Sequence, residues 1–317
     1  MRPRTLALAL IAAAVATTAC STPNPDTETV RVASLKGPTT MGLVHLIDQA
    51  THGKTAQNYN FSVQGTPDAV SVPLAAGQID IALLPINLAA VLYNKTAGAV
   101  QLAAVNTLGV LYIVSNDPSV TQLSDLAGRT VLNTGQGTTP QFVLDKVLAS
   151  SNLSVTIDYR SQATEVASVL TATQAIAVLP EPYVTAVMSA SEDIHIVADL
   201  TEAWRSITGS PLVTSCVAVR SGFAEANPAA VANFLSDYEA SVDFVNTRPA
   251  AAAPLIVAWG LAPNTQAAEA AIPRAHIVFM PSQDAKTAVG AYLAALHAGD
   301  PASIGGTIPD DHFFYIP

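Results

Sequence analysis

Two turns rich in glycine and threonine are the strongest candidates for binding chemistry in this sequence. One is Gly-Pro-Thr-Thr at residues 37–40, and the other is Gly-Gln-Gly-Thr-Thr-Pro at residues 135–140. Each follows an apolar run and opens a helical pattern, so free backbone N–H groups and the helix dipole predict an anion pocket. The threonines could instead only cap their helices, and both roles stay open. The second turn begins like a dinucleotide fingerprint, but Pro140 replaces the third glycine, which argues against a nucleotide site.

A glutamate between two prolines is the second unusual feature. In Pro-Glu-Pro-Tyr at residues 180–183, the prolines stiffen the backbone and fix the direction of the Glu181 carboxylate. This favours a site residue, although a carboxylate that stabilises the start of a helix is the competing interpretation. Asn87 holds the equivalent position after Pro85 and is either a hydrogen-bonding site residue or an N-cap.

The candidate ligand-binding residues follow predicted strands, where open α/β sheets bind their ligands. They are Thr39, Thr40, Met41, Gly65, Thr66, Pro85, Asn87, Gly137, Thr138, Thr139, Glu181 and Tyr183.

Catalytic and metal-binding patterns are not found in the sequence. The six histidines show no close ligand spacing, and there is no Gly-x-Ser-x-Gly motif. Cys216 lies in an apolar run without a recognisable Cys–His signature and is predicted to be a buried core thiol. We therefore predict no catalytic residue, no metal and no cofactor.

The elements that must position these residues form a repeat. Short apolar runs alternate with helical patterns, including a helix predicted at residues 41–51, which indicates βαβ units and a mostly parallel sheet. Ile-Ala-Leu-Leu-Pro at residues 81–85 returns as Ile-Ala-Val-Leu-Pro at residues 176–180, an offset of 95. The repeat predicts two lobes joined by crossovers near residues 108–115 and 212–219. We assign residues 30–112 and 214–317 to lobe 1, which is discontinuous, and residues 113–213 to lobe 2.

Composition excludes several classes of protein. Of 317 residues, 50% are hydrophobic and 12% are charged, which excludes a disordered chain. The net charge of -10 excludes a general nucleic-acid binder, which needs clustered basic residues. Beyond the N-terminus, no apolar run is long enough to span a membrane.

The N-terminus predicts export and a lipid anchor. Residues 1–20 combine Arg2 and Arg4 with an apolar stretch and small residues before Cys20, as in a signal peptide. The segment resembles the lipobox of bacterial lipoproteins, in which the cysteine is acylated, although Thr17 stands where that motif usually has Leu. Ordinary signal cleavage is the alternative. Residues 21–29 are polar and contain two prolines, so they predict a tether.

Four sequence segments resemble those of a known family. They are VASLKGPT at residues 32–39, DIALLP at 80–85, LSDLAGRTV at 123–131 and AVLPEPY at 177–183. They resemble the nitrate, sulfonate and taurine group of solute-binding lipoproteins of ABC importers, which also includes binders of thiamine-pyrimidine precursors. The resemblance implies an α/β, two-lobed, type II periplasmic-binding fold, in which each lobe is a mixed sheet flanked by helices.

The resemblance also implies a function. A lipid-anchored monomer on the extracytoplasmic face would capture a small solute between its lobes and pass it to an ABC permease and its ATPase. Relatives of this architecture include pyrimidine-precursor synthases and enzymes of a menaquinone route, so an enzyme is the alternative. A solute-sensing lipoprotein has the same sequence features.

Overall fold

The computed structural model describes residues 28–317. The predicted signal peptide, Cys20 and most of the predicted tether lie outside the described residues. The strands are β1 (Val30–Leu35), β2 (Tyr59–Gln64), β3 (Ile81–Pro85), β4 (Val100–Leu108), β5 (Leu111–Ser115), β6 (Thr130–Asn133), β7 (Thr156–Tyr159), β8 (Ile176–Pro180), β9 (His195–Asp199), β10 (Val213–Arg220) and β11 (Ile277–Pro281). The helices are α1 (Pro38–Met41), α2 (Val44–Thr51), α3 (Asp68–Ala75), α4 (Ile86–Lys95), α5 (Thr139–Ser150), α6 (Ala163–Ala172), α7 (Tyr183–Ala190), α8 (Leu200–Thr208), α9 (Ser221–Ala226), α10 (Pro228–Thr247), α11 (Pro249–Ala258), α12 (Thr265–Ala271) and α13 (Ser282–Gly299).

Two separate sheets form the centres of two lobes. The first lobe has the strand order β11-β4-β10-β3-β1-β2, and the second has the order β7-β6-β8-β5-β9. The first and last strands of the βαβ units are parallel, but β10 runs antiparallel to β3 and β4, and β5 runs antiparallel to β8 and β9. The fold class is therefore confirmed as α/β with mixed sheets. The expectation of a mostly parallel sheet is wrong, because each crossover strand enters its sheet against the direction of the neighbouring strands.

The sequence repeat corresponds to a repeat of topology. Without β11, the two orders read β2-β1-β3-β10-β4 and β7-β6-β8-β5-β9, so each strand has an equivalent in the other lobe. The matching pentapeptides form β3 and β8, which both lie between a parallel strand and an antiparallel crossover strand. The first sheet takes its strands from residues 30–108 and 213–281, and the second takes its strands from residues 111–199.

The helix predicted at residues 41–51 is interrupted at its start. The structure has α1 up to Met41 and begins α2 at Val44. Gly42 lies at the break, and a Cβ atom there would come within 2.8 Å of Ile277 and 2.9 Å of the Tyr238 hydroxyl. Glycine is required here because α10 and β11 pack directly against this backbone.

A buried ion cluster holds the amino ends of β1 and β3 together with the end of β10. Asp80 is 2% exposed and accepts hydrogen bonds from the backbone N–H of Arg31 and from its Nε, at 3.0 and 2.8 Å. Nη2 of Arg220 donates to the same carboxylate at 3.0 Å. Burial acts to raise the pKa of Asp80, but the hydrogen bonds from Arg31 and Arg220 and the charge of Arg31 outweigh it and hold that pKa below its usual range.

Apolar packing in the described residues divides among a core of the first lobe, a core of the second lobe and a core that both lobes share. In the first lobe, α2 and α10 cover one face of the sheet and bury residues such as Phe234 and Tyr238. The shared core contains Trp204 of α8 in the second lobe and Tyr292 of α13 in the first. No helix in the described part of the chain is both long and apolar enough to cross a membrane.

Candidate functional site

A cavity of about 130 Å³ lies between the two lobes, at the carboxyl ends of β1, β3, β6, β7 and β8. One water needs about 10–15 Å³ of such space, so the cavity has room for a small solute. Residues of both crossovers contribute to its lining. The lining residues are Leu35, Lys36, Gly37, Pro38, Thr39, Gly65, Pro67, Pro85, Val110, Leu111, Thr134, Gly135, Thr138, Thr139, Pro140, Ser161, Gln162, Ala163, Pro180, Tyr183, Thr214 and Ser215.

The N-termini of six helices from both lobes converge on this cavity. Its lining includes the N-cap or first residue of α1, α3, α4, α5, α6 and α7. Each of these ends has backbone N–H groups without an acceptor inside its helix and carries the positive end of a helix dipole. Because these helix starts meet at the cavity, it is favourable for a negatively charged group.

The turn before α5 shows why the sequence forms this wall. Gly135 has a φ of 65°, and a Cβ atom there would lie 2.4 Å from the hydroxyl oxygen of Thr138. That hydroxyl donates a hydrogen bond of 2.7 Å to the carbonyl of Gly135. The closed turn therefore requires glycine, and it directs the start of α5 toward the cavity.

Lys36 is the one charged residue among those that line the cavity. It follows β1, and its Nζ lies beside the turn after α11, 3.4 Å from where a Cβ on Gly260 would be. Within residues 28–317 no carboxylate forms an ion pair with it. An ammonium group at this position adds to the positive potential of the helix ends.

Two hydroxyl groups of the second lobe are available to a ligand. Tyr183 is 9% exposed and Thr134 is 8% exposed, and both line the cavity. Neither hydroxyl makes a hydrogen bond to another group in the described residues. Burial raises the pKa of Tyr183, so its phenol stays protonated at neutral pH and can donate.

Two hydroxyl groups of the first lobe together provide a third hydrogen-bond donor at the cavity. Thr39 Oγ1 and Ser215 Oγ are 3.0 Å apart and form one hydrogen bond. Because that bond uses one of the two hydroxyl protons, the pair retains one proton for a ligand.

The other candidate threonines use their hydroxyls within the protein. Thr139 Oγ1 accepts from the hydroxyl of Tyr292 at 3.1 Å and lies 3.3 Å from the carbonyl of Thr214. Thr40 Oγ1 donates to the carbonyl of Leu35 at 2.7 Å. Neither helix start has a side-chain capping hydrogen bond, so the capping interpretation is wrong for these threonines, and ligand contact stays a prediction.

The structure places half of the predicted site residues at the cavity. The residues that line it are Thr39, Gly65, Pro85, Thr138, Thr139 and Tyr183. The residues that are not part of the lining are Thr40, Met41, Thr66, Asn87, Gly137 and Glu181.

The residues of the second group lie elsewhere in the fold or are hydrogen-bonded within the protein. Met41 is buried in the core of the first lobe, whereas Thr66 is exposed. Asn87 is buried and donates 3.2 Å hydrogen bonds to the carbonyls of Gly137 and Ser303, so it connects the lobes.

Glu181 has the fixed carboxylate that its two prolines predict, but the carboxylate is bound by the protein. It is fully buried, and its Oε1 lies 2.7 Å from Nε of Arg274, which belongs to the first lobe. Its other oxygen accepts from the backbone N–H of Thr185 at 3.1 Å. Glu181 therefore bridges the lobes through an ion pair instead of facing the cavity.

Several lining residues were missed in the sequence. Ser161 and Gln162 follow β7, and the rule that ligands bind beyond strand ends could have found them. Ser215 and Val110 lie in the crossovers, where an apolar run gave no indication of a polar site.

The lining has no conventional acid–base pair. Among the lining residues, all of them within residues 28–317, there is no histidine, cysteine, aspartate or glutamate. No group of three or more such side chains that could hold a metal ion occurs in the described part of the chain. Cys216 is buried, and burial raises the pKa of its thiol, so it remains an unreactive thiol.

Comparison with known proteins gives the family. A family model described as menaquinone biosynthesis matches residues 37–277, about three quarters of the chain. The chain belongs to the menaquinone biosynthesis family. No curated protein sequence matches this family member.

Solved structures share the fold of this member of the menaquinone biosynthesis family. An ABC transporter from Parabacteroides distasonis has a TM-score of 0.75 and 24% identity, with 91% of this chain and 99% of that chain covered. The periplasmic aliphatic sulphonate binding protein SsuA from Escherichia coli has a TM-score of 0.70 and 12% identity, with 92% and 93% covered. The periplasmic nitrate-binding protein NrtA from Synechocystis PCC 6803 has a TM-score of 0.62 and 12% identity, with 77% and 69% covered. The predicted resemblance to this group is confirmed at the level of the fold.

Proposed function

We propose that this protein is an extracytoplasmic substrate-binding lipoprotein of an ABC importer, which captures a small organic anion between its lobes. The observation that carries the proposal is the cavity on which helix N-termini from both lobes converge, with Lys36 as its only charged lining residue. Enclosure by two lobes excludes water, so each N–H group and hydroxyl interacts more strongly with charge than on an open surface. The similar folds of periplasmic sulphonate- and nitrate-binding proteins support the same role.

The apolar part of the lining favours an anion with an apolar body. Five prolines line the cavity, together with the aliphatic side chains of Leu35, Val110 and Leu111. Most of these prolines stand at or beside helix starts, where the missing N–H costs no hydrogen bond. They leave an apolar belt around a polar end, which suits an organic carboxylate or sulfonate better than a bare inorganic ion.

An enzyme of a menaquinone route is the second candidate, and the family match is the observation that favours it. Such an enzyme needs a group that moves a proton at the reacting atom. In this cavity only Lys36 and Tyr183 are titratable, and burial keeps the tyrosine protonated. A binding role requires neither residue to change its protonation state, so the lining supports binding better.

Thermal stabilisation by matched probes tests the proposal. Benzoate, methanesulfonate, taurine and nitrate would be compared with benzamide, which has the shape of benzoate without its charge. We expect at least one organic anion to raise the melting temperature, since a ligand at 100 times its Kd adds about 2.7 kcal/mol to the free energy of unfolding. If benzamide stabilises the protein as much as benzoate does, or if no anion stabilises it, the cavity is not an anion site.

The two free hydroxyls of the second lobe predict a specific loss of affinity. We expect Tyr183→Phe and Thr134→Val each to raise the Kd of the stabilising anion by about 3- to 10-fold, because each removes one hydrogen bond. Titration calorimetry measures this change. Tyr112→Phe is the control, because Tyr112 is also buried in the second lobe, in β5, but does not line the cavity. Unchanged Kd values in both variants would mean that these hydroxyls do not contact the ligand.

If the protein is lipid-anchored, its location at the membrane depends on Cys20, which lies outside the described part of the chain. We expect Cys20→Ala to move the protein from the membrane fraction to the soluble fraction, since no other cysteine is near the signal segment. Fractionation followed by immunoblotting measures this shift, and Cys216→Ala is the matched control that should remain membrane-bound. A Cys20→Ala protein that is processed normally and stays in the membrane would exclude acylation at this position.

A further inference from the structure

Tyr292 is the point at which α13 of the first lobe reaches into the second lobe. Its side chain is fully buried, and its hydroxyl donates a 3.1 Å hydrogen bond to Oγ1 of Thr139, the first residue of α5. Its ring packs against the ring of Trp204 from α8, with 5.5 Å between the ring centroids. The second lobe thus contacts this tyrosine through both its polar end and its apolar face.

The Thr139 hydroxyl extends this contact to the crossovers. Its own proton is directed to the carbonyl of Thr214 in β10, at 3.3 Å, and Oδ1 of Asn87 lies 3.5 Å away. Thr214 Oγ1 in turn donates to the carbonyl of Leu108 at the end of β4, at 2.7 Å. A single chain of hydrogen bonds therefore joins α13, the start of α5 and both segments that connect the lobes.

The geometry points to Tyr292 as a positioning residue that holds the start of α5 at the cavity and keeps the two lobes in the arrangement of this structure, which we call closed. The ring does not line the cavity itself, so it acts on a ligand only through Thr139. A rotation that moves α5 away from α13 removes the acceptor of a fully buried hydroxyl, which is unfavourable. The inference rests on the proposed function, because a closing contact matters in a protein whose lobes open to admit a ligand.

Two further contacts between the lobes lie beside the cavity and also stabilise the closed arrangement. Asn87 donates to the carbonyl of Gly137 in the turn before α5. Arg274 binds the buried carboxylate of Glu181 before α7. Because these contacts remain in a Tyr292 variant, we expect a shift in the closed population and not a loss of folding.

The distance between the lobes, measured without ligand, tests the role of Tyr292. Spin labels would be placed on cysteines introduced at Val72 of α3 and Ser168 of α6, two exposed positions on helices that begin at the cavity. The chain would carry Cys20→Ser, and Cys216 is buried and escapes labelling. We expect Tyr292→Phe to raise the ratio of long to short distances by about 3- to 10-fold, the effect of one lost hydrogen bond.

Matched variants separate this role from simple packing. Tyr238→Phe is the control, because Tyr238 is equally buried but lies in the core of the first lobe alone, and it should leave the distances unchanged. Thr139→Val should reproduce the shift, and the double variant with Tyr292→Phe should add little, since both changes break the same contact. Distances that stay the same in Tyr292→Phe, or that shift equally in Tyr238→Phe, would overturn the inference.

The same experiment keeps the two proposals apart. If Tyr292→Phe opens the lobes but no anion binds to the parent protein, the proposed function fails and the positioning role stands. If an anion binds and the distances of the two single variants match those of the parent, the positioning role fails alone.

Discussion

Asp80→Asn is expected to lower the free energy of unfolding by about 2–4 kcal/mol, the largest effect on stability that we predict. Breaking a fully buried ion pair costs about 3–5 kcal/mol. The cost is smaller here because the side chains of Arg31 and Arg220 are 41% and 29% exposed and can turn toward water. Urea denaturation of both proteins at neutral pH measures the difference.

Asp158→Asn is the matched control for this prediction. Asp158 also pairs with an arginine, Arg160, but both side chains are about 40% exposed, and an exposed pair contributes about 0–1 kcal/mol. Equal stability of the two variants would show that the Asp80 cluster does not hold the strand ends together.

The stability difference should also depend on pH in a defined direction. Because the pKa of Asp80 is lowered on folding, its contribution is fully present above the unfolded pKa of about 3.9. It is lost as pH falls below that value and through the folded pKa. The stability curves of the parent and Asp80→Asn should therefore converge below about pH 4, and curves that diverge there would contradict the assignment.

Lys36→Met is expected to have the largest effect on binding, raising the Kd of the stabilising anion by about 10- to 150-fold. A hydrogen bond to a charged group contributes about 1.5–3 kcal/mol, and about 1.4 kcal/mol corresponds to a factor of ten. Lys36→Arg keeps the charge and should retain most of the affinity. Lys54→Met, an exposed change outside the cavity lining, should leave the Kd unchanged.

The salt dependence of binding gives an independent check on Lys36. Added salt screens a partly exposed charge, so the Kd of the parent protein should rise with ionic strength more steeply than that of Lys36→Met. A Lys36→Met protein that binds the anion within about twofold of the parent would remove the ammonium group from the site.

The fold could be predicted largely from local pattern. The offset between residues 81–85 and residues 176–180 identified two equivalent strands, because a buried central strand needs the same apolar run in each lobe. Three strands were missed, at Val100–Leu108, His195–Asp199 and Ile277–Pro281. They lie beyond the crossover strands in their sheets, and no repeated turn before or after them marks their place.

The site could be predicted only in outline. The rule that ligands bind beyond strand ends located Thr39, Thr139 and Tyr183, which line the cavity. It could not distinguish free hydroxyls from engaged ones, because Thr139 meets its partner Tyr292 at a separation of 153 residues. The same limit applies to Glu181, whose Arg274 partner is 93 residues away. Local sequence therefore fixes where a residue lies, and distant packing decides whether its polar atoms remain available.

The fate of a bound anion tests the central claim most directly. The binding of the anion that stabilises the protein most would be measured by titration calorimetry. The ligand would then be released by denaturation, and its mass would be measured by mass spectrometry. We predict one site per chain and recovery of the anion with unchanged mass after prolonged incubation. Conversion of more than one equivalent into a product of different mass would instead show an enzyme, and would contradict a protein that only binds its solute.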